Sequence, residues 1–90
     1  MRYGWDEAKR RINVRKHGID FTAIHSFTWD ASIRWVDDRE DYGELRQVAI
    51  GFIGVVLHTI TFTERGDDVI WIISLRKATK AEYRKYAREI

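Results

Sequence analysis

Seven side chains have the types needed to hold a phosphate and move a proton. Glu64 and Arg65 stand just before a Gly66-Asp67-Asp68 turn, and Arg76 and Lys77 stand just after the apolar run that follows it. A guanidinium presents a planar fork matched to phosphate oxygens and stays charged at any relevant pH, so Arg65 and Arg76 are candidates to clamp phosphate. Glu64 is a candidate base, or a residue that orients one of those arginines. Lys16 and His17 form a second group, and imidazole is the usual side chain for proton transfer near neutral pH. Arg46, beside Tyr42, completes the set. Each residue also has a structural reading. His17 ends a predicted helix, where the dipole favours a cation. Glu64 and Arg65 are also an ordinary strand end, and Tyr42-Gly43 is also turn material.

These residues need a sheet to carry them. Val55–Thr63 and Val69–Leu75 are the most apolar, β-branched runs, and the turn between them predicts a hairpin. Gln47–Phe52 alternates, with Val48, Ile50 and Phe52 on one face, and Ile33 and Trp35 flank Arg34 in a further strand over 32–37. Asp37–Glu44 is a charged loop, and Ile53-Gly54 a turn. A helix is expected over 6–17, with Asp6 as N-cap, Gly18 as stop and Trp5, Ala8 and Ile12 as its apolar stripe. Asp20 begins a short second helix that buries Phe21, Ile24 and Phe27. Thr79-Lys80-Ala81-Glu82 fits a capping box opening a last helix, with Tyr83 and Tyr86 toward the sheet. The order is helix, helix, four strands, helix. Short links between strands imply an α+β fold: one four-stranded antiparallel sheet with the helices on one face.

Ninety residues suit a single domain, 1–90, with a small core. The absence of cysteine removes disulfides, thiol chemistry and Cys-based zinc sites, and fits a cytoplasmic setting. The N-terminus carries charge where a signal peptide has its apolar core. Net charge is only +2, but residues 1–20 hold six Lys/Arg against three acids, 30–44 six acids against two Arg, and 76–89 six Lys/Arg against two Glu. Two basic ends brought together would make a polyanion-binding face. Asp37-Asp38 and Asp67-Asp68 lack the spacing of a calcium loop, and no two histidines stand four apart, so no metal ligands and no cofactor are expected. His25 and His58 read as packing or satisfied polar groups. Trp29, Trp35 and Trp71 are divided between core and partner surface.

Trp5-Asp6-Glu7-x-Lys9, Asn13 and Lys16-His17-Gly18-x-x-Phe21 resemble the opening signature of the BrnT family of bacterial toxins. Asp38-Arg39-Glu40-Asp41-Tyr42-Gly43-Glu44-x-Arg46 is similar to its central motif. Thr63-Glu64-Arg65-Gly66, then Ile72-Ile73-Ser74-x-Arg76-Lys77-Ala78-Thr79 and Tyr86, are similar to its closing motif. The chain departs from the pattern at Trp71, where the family often has Arg, and at Leu75, where it often has Ala. The resemblance implies a RelE/ParE-like toxin fold and a metal-independent ribonuclease of a type II toxin–antitoxin pair. Such a toxin slows translation until a cognate BrnA-like, DNA-binding antitoxin neutralises it.

On that implication Glu64, Arg65, Arg76 and His17 become candidate catalytic groups, and Lys16, Arg46 and Lys77 candidate RNA contacts. Attack of a 2′-OH on the neighbouring phosphate needs a base, cations for the phosphorane and an acid for the leaving oxygen. The alternative is a non-catalytic module of the same fold that holds RNA or protein on the same cationic face. Trp71 in place of a cation is the feature that favours it.

Overall fold

The hairpin over residues 56–77 is the longest pairing in the molecule, and the other elements assemble on it. The computed structural model describes residues 1–90. Strand β1 (Arg2–Trp5) leads into helix α1 (Glu7–His17) and two 3₁₀ segments, Phe21–Ser26 and Trp29–Ala31. Strands β2 (Ile33–Asp37), β3 (Arg46–Ile53), β4 (Val56–Arg65) and β5 (Val69–Lys77) follow, then helix α2 (Lys80–Glu89). The sheet order is β1-β5-β4-β3-β2, with β2 to β5 antiparallel and β1 parallel to β5.

Two expectations are therefore corrected. The sheet is five-stranded and mixed, not four-stranded and antiparallel. Residues 2–5 include no β-branched side chain, so nothing local marks them as a strand; pairing with Val69–Ile72 makes them one. Gly4 is needed there, because a Cβ at this position would meet the Trp71 ring at 2.8 Å. The helices also divide between the two faces. α1 and the 3₁₀ segments lie on the face where Phe21, Ile24, Phe27, Ile60, Phe62, Ile72 and Leu75 form the core. The expected second helix is 3₁₀ but buries the anticipated Phe21, Ile24 and Phe27. α2 crosses the opposite face and buries none of its residues. The Tyr86 ring meets Phe52 edge-on at 5.6 Å, and its hydroxyl donates to the Ala31 carbonyl at 2.6 Å.

A bulge in β5 decides which side chains reach that opposite face. Phe62 pairs with Ile72 but Thr61 pairs with Ser74, so Ile73 is an inserted residue. One extra residue reverses the alternation of a strand. Ile70 and Ile72 point into the core, and after the bulge Leu75 does so. Arg76 consequently shares the outer face with Trp71.

α1 begins and ends as expected. Asp6 accepts from the Lys9 N–H at 3.1 Å, and Gly18 (φ 72°) donates to the Val14 carbonyl. Its sheet-facing side is not the expected apolar stripe, since Ile12 is 55% exposed and Asn13 is the one buried residue. β1 reaches only to Ile72, which leaves Leu75, paired with Ile60 on its other side, without a strand on the β1 side. The Asn13 amide takes the strand's place. Its Nδ2 donates to the Leu75 carbonyl at 2.8 Å, and its Oδ1 accepts from the Leu75 N–H at 3.2 Å. A buried backbone edge requires such partners.

Candidate functional site

The hairpin separates the charged residues that flank it. Arg65 pairs with Val69 beside the turn, whereas Arg76 pairs with Thr59, six residues back along β4. At about 3.3 Å per residue the two guanidinium-bearing positions stand roughly 20 Å apart. Glu64 and Arg65 therefore do not share a site with Arg76. Arg65 lies over the Trp71 ring at 3.9 Å from its centroid, and the adjoining hollow carries the carboxylates Glu44 and Glu64 against that one cation. Arg46, at the same end, lies over the Tyr42 ring at 4.2 Å, with its buried Nε in a long ion pair to Glu44 Oε2 at 3.5 Å.

At the other end the structure brings Lys16 and His17 together with Lys9, while Lys77 lies exposed at the end of β5 and Arg76 lines a separate cleft. The C-terminal turn of α1 and the edge of β5 form a groove lined by Lys9, Lys16, His17, Ile73 and Ser74, with no carboxylate among its walls. Burial lowers the His17 pKa below the ordinary imidazole value, and the charges of Lys16 and Arg76 lower it further. Burial and the two cations thus favour the uncharged form of the His17 imidazole, the form that can accept a proton.

Arg76 lines a separate cleft of about 280 Å³ on the outer face, near enough for its charge to act on His17. The cleft lies between α2 and the β2–β3 loop, with Thr59, Trp35 and Val48 in its lining. Arg76 Nη1 and Nη2 meet Glu82 Oε1 and Oε2 at 2.7 and 2.9 Å. Burial alone would raise the Glu82 carboxyl. Hydrogen bonds from Arg76, the Thr79 N–H and the Thr59 hydroxyl overcome that and hold it at about 2. The bond to Glu82 raises the Arg76 pKa against burial, and the charge of Arg39 opposes the rise. Arg39 grips the buried Asp37 through two 2.8 Å contacts, and holds that carboxyl at about 2 against burial.

The cleft and the groove differ in chemistry. The cleft sets Arg39 and Arg76 against Asp37, Asp38 and Glu82 and offers an aromatic wall at Trp35, over which Lys85 Nζ sits 4.7 Å from the ring centroid. Acceptors beside an aromatic ring suit a base edge. The groove, cationic and free of carboxylates, suits phosphate. In the sequence Glu82 reads only as part of a capping box, and neither Lys9 nor Arg39 stands out as a site residue. A capping glutamate uses one oxygen for the cap, so its second oxygen was the available signal.

The other aromatic and histidine side chains are accounted for structurally. Trp29 packs edge-on to Phe27 and Phe62 and donates to the Tyr3 hydroxyl at 2.7 Å. His58 is buried with Nδ1 2.8 Å from the Val56 carbonyl, and the exposed His25 meets Tyr3 edge-on.

The chain is a small α+β domain with a cationic, carboxylate-free groove at the α1 end and an aromatic-walled cleft on the outer face. Residues 5–82 match the family described as the ribonuclease toxin, BrnT, of type II toxin–antitoxin systems. The chain belongs to the BrnT family. Its fold resembles the crystal structure of the Brucella abortus ribonuclease toxin BrnT, with a TM-score of 0.68 and 30% identity over 89% of this chain and 99% of that one. No match is found among curated proteins. No helix is long and apolar enough to cross a membrane.

Proposed function

We propose that this BrnT-family chain cleaves RNA without a metal, by attack of a 2′-OH on its own 3′-phosphate. The RNA backbone runs through the groove at the α1 end. Arg76 and Lys16 hold the scissile phosphate, with Lys77 and Lys9 at its flanks. His17 takes the proton from the 2′-OH. The O2′–P bond forms as the P–O5′ bond breaks, and the departing O5′ takes a proton from solvent, leaving a 2′,3′-cyclic phosphate and a 5′-OH. Cationic donors aimed at the phosphorane supply the larger share of such catalysis, and a positioned base about 10²- to 10⁴-fold. The outcome is inhibition of translation until a BrnA-like antitoxin neutralises the toxin.

The observation that supports this reading best is a groove that sets His17 beside Lys9 and Lys16 with no carboxylate in its walls, surroundings that favour the uncharged imidazole. Trp71 gives little support to a non-catalytic alternative. It lies about 16 Å along β5 from Arg76, at roughly 3.3 Å per residue, so its lack of charge leaves the groove intact.

The test is incubation of purified protein with an RNA oligonucleotide in EDTA, with analysis of the 3′ ends. Cyclic phosphate ends, lost in Arg76→Ala and His17→Ala, are expected. Ends bearing a 3′-OH, or intact RNA under folded protein, would overturn the proposal.

A further inference from the structure

We infer that Glu82 is the positioning residue of the cleavage site, fixing Arg76 so that one edge of its guanidinium is presented to phosphate. The inference rests on the reading of Arg76 as a phosphate ligand. A guanidinium has five N–H donors. Nη1 uses its two on Glu82 Oε1 and on the Lys77 carbonyl at 3.3 Å. Nη2 uses one on Glu82 Oε2. The donors that remain are Nε–H and the second hydrogen of Nη2. These two lie parallel along one edge, the geometry that binds a phosphate through two oxygens.

Glu82 is itself anchored independently of Arg76. Its Oε1 accepts from the Thr59 hydroxyl on the sheet at 2.9 Å and from the Thr79 N–H at the start of α2 at 2.8 Å. Closing the capping box needs only the Thr79 contact. The bond to Thr59 and the bidentate grip on Arg76 go beyond it, and join the helix, the sheet floor and the guanidinium at one carboxylate. Without that grip a side chain with four rotatable bonds, one-third exposed, would have only the Lys77 carbonyl to orient it. Glu82 also cancels one positive charge beside the groove. Its loss therefore strengthens the attraction for RNA while loosening the geometry, and the two effects separate in the kinetics.

The test compares wild type, Glu82→Gln and Thr79→Ala. Glutamine can keep one oxygen at the Oε1 position, but it sets an N–H donor against Nη2. Loose placement of a reacting group costs up to about 10²-fold. For Glu82→Gln the expected result is kcat lower by roughly ten- to a hundredfold with KM unchanged or lower. Thr79→Ala removes the cap hydroxyl but keeps the N–H to Glu82, and should lower stability with kcat unchanged. Unchanged kcat in Glu82→Gln would mean the residue only caps α2. A raised kcat would mean it competes with substrate for Arg76. Either outcome overturns the inference. A second measurement needs no cleavage: inorganic phosphate titrated while the Arg76 Nε–Hε resonance, assigned with Arg76→Lys, is followed by NMR. That resonance should shift in wild type and shift less in Glu82→Gln. No response in wild type overturns the inference even where RNA is cut. A normal response with no RNA cleavage would instead count against the ribonuclease reading alone.

Discussion

Two residues on α1 show what a single side chain does here. Asn13 is the strand partner that Leu75 lacks, satisfying both its N–H and its carbonyl in a buried setting. Stranding a buried polar group costs about 1 to 3 kcal/mol, and here two are stranded together. Asn13→Ala should therefore lower unfolding free energy by roughly 2 to 4 kcal/mol, read as a reduced urea midpoint at unchanged m. A loss under half a kcal/mol would mean that water serves Leu75 as well. Four residues on, His17 reports on the site. Its imidazole should titrate below pH 6.5 by NMR, since burial and two cations disfavour the charged form. Removing one cation in Arg76→Ala should move the midpoint upward. No movement would mean the two residues are not electrostatic neighbours.

At the scale of elements, α2 is held by specific contacts rather than by burial. The Glu82–Arg76 pair, Tyr86 against Phe52 and Lys85 over Trp35 attach it to the sheet. The sign of its pH dependence follows from Glu82. A carboxyl at about 2 in the fold, against 4.5 ordinarily, contributes stability that is fully present above its unfolded value. That contribution is lost as pH falls from about 5 toward 2, and Asp37 acts in the same direction. Unfolding free energy of wild type should fall across that window more steeply than that of Glu82→Gln. Parallel curves from urea titrations at several pH values would refute this. The start of α2 was legible in the sequence because a capping box is local: Thr79 and Glu82 lie within one turn. Which face of the sheet it covers was not legible, because that depends on Ile73 bulging out of β5 and reversing the alternation. β1 was hidden for a related reason, since four residues without a strand pattern become a strand only when Val69–Ile72 lies beside them. The apolar stripe on α1 misled because the helix meets a backbone edge, where an amide serves better than a hydrocarbon.

At the scale of the molecule, the sheet sorts charge by distance along the hairpin. Glu64, Arg65, Arg76 and Lys77 look like one cluster when a strand is read as a rigid support. A strand has two ends, however, and antiparallel pairing sends Arg65 to one and Arg76 to the other. The α1 end, where Lys9, Lys16 and His17 line one groove and Arg76 lines the cleft nearby, is where RNA phosphates should sit. The turn end sets Arg65 over an aromatic ring, with Glu44 and Glu64 beside it. Each phosphate neutralised on a single strand contributes about 0.7 to the slope of log affinity against log salt. Lys16→Ala should thus weaken binding of an uncleavable 2′-deoxy oligonucleotide and flatten that slope by about 0.7. Arg65→Ala should leave the slope unchanged and cleavage within about twofold. It forfeits only an exposed cation–π contact, about 0.5 to 1 kcal/mol of stability. Glu64→Gln should behave in the same way. A slope that flattened in Arg65→Ala and not in Lys16→Ala would move the RNA track to the turn end. Arg76 would then lie about 20 Å off that track, too far for one phosphate to bridge.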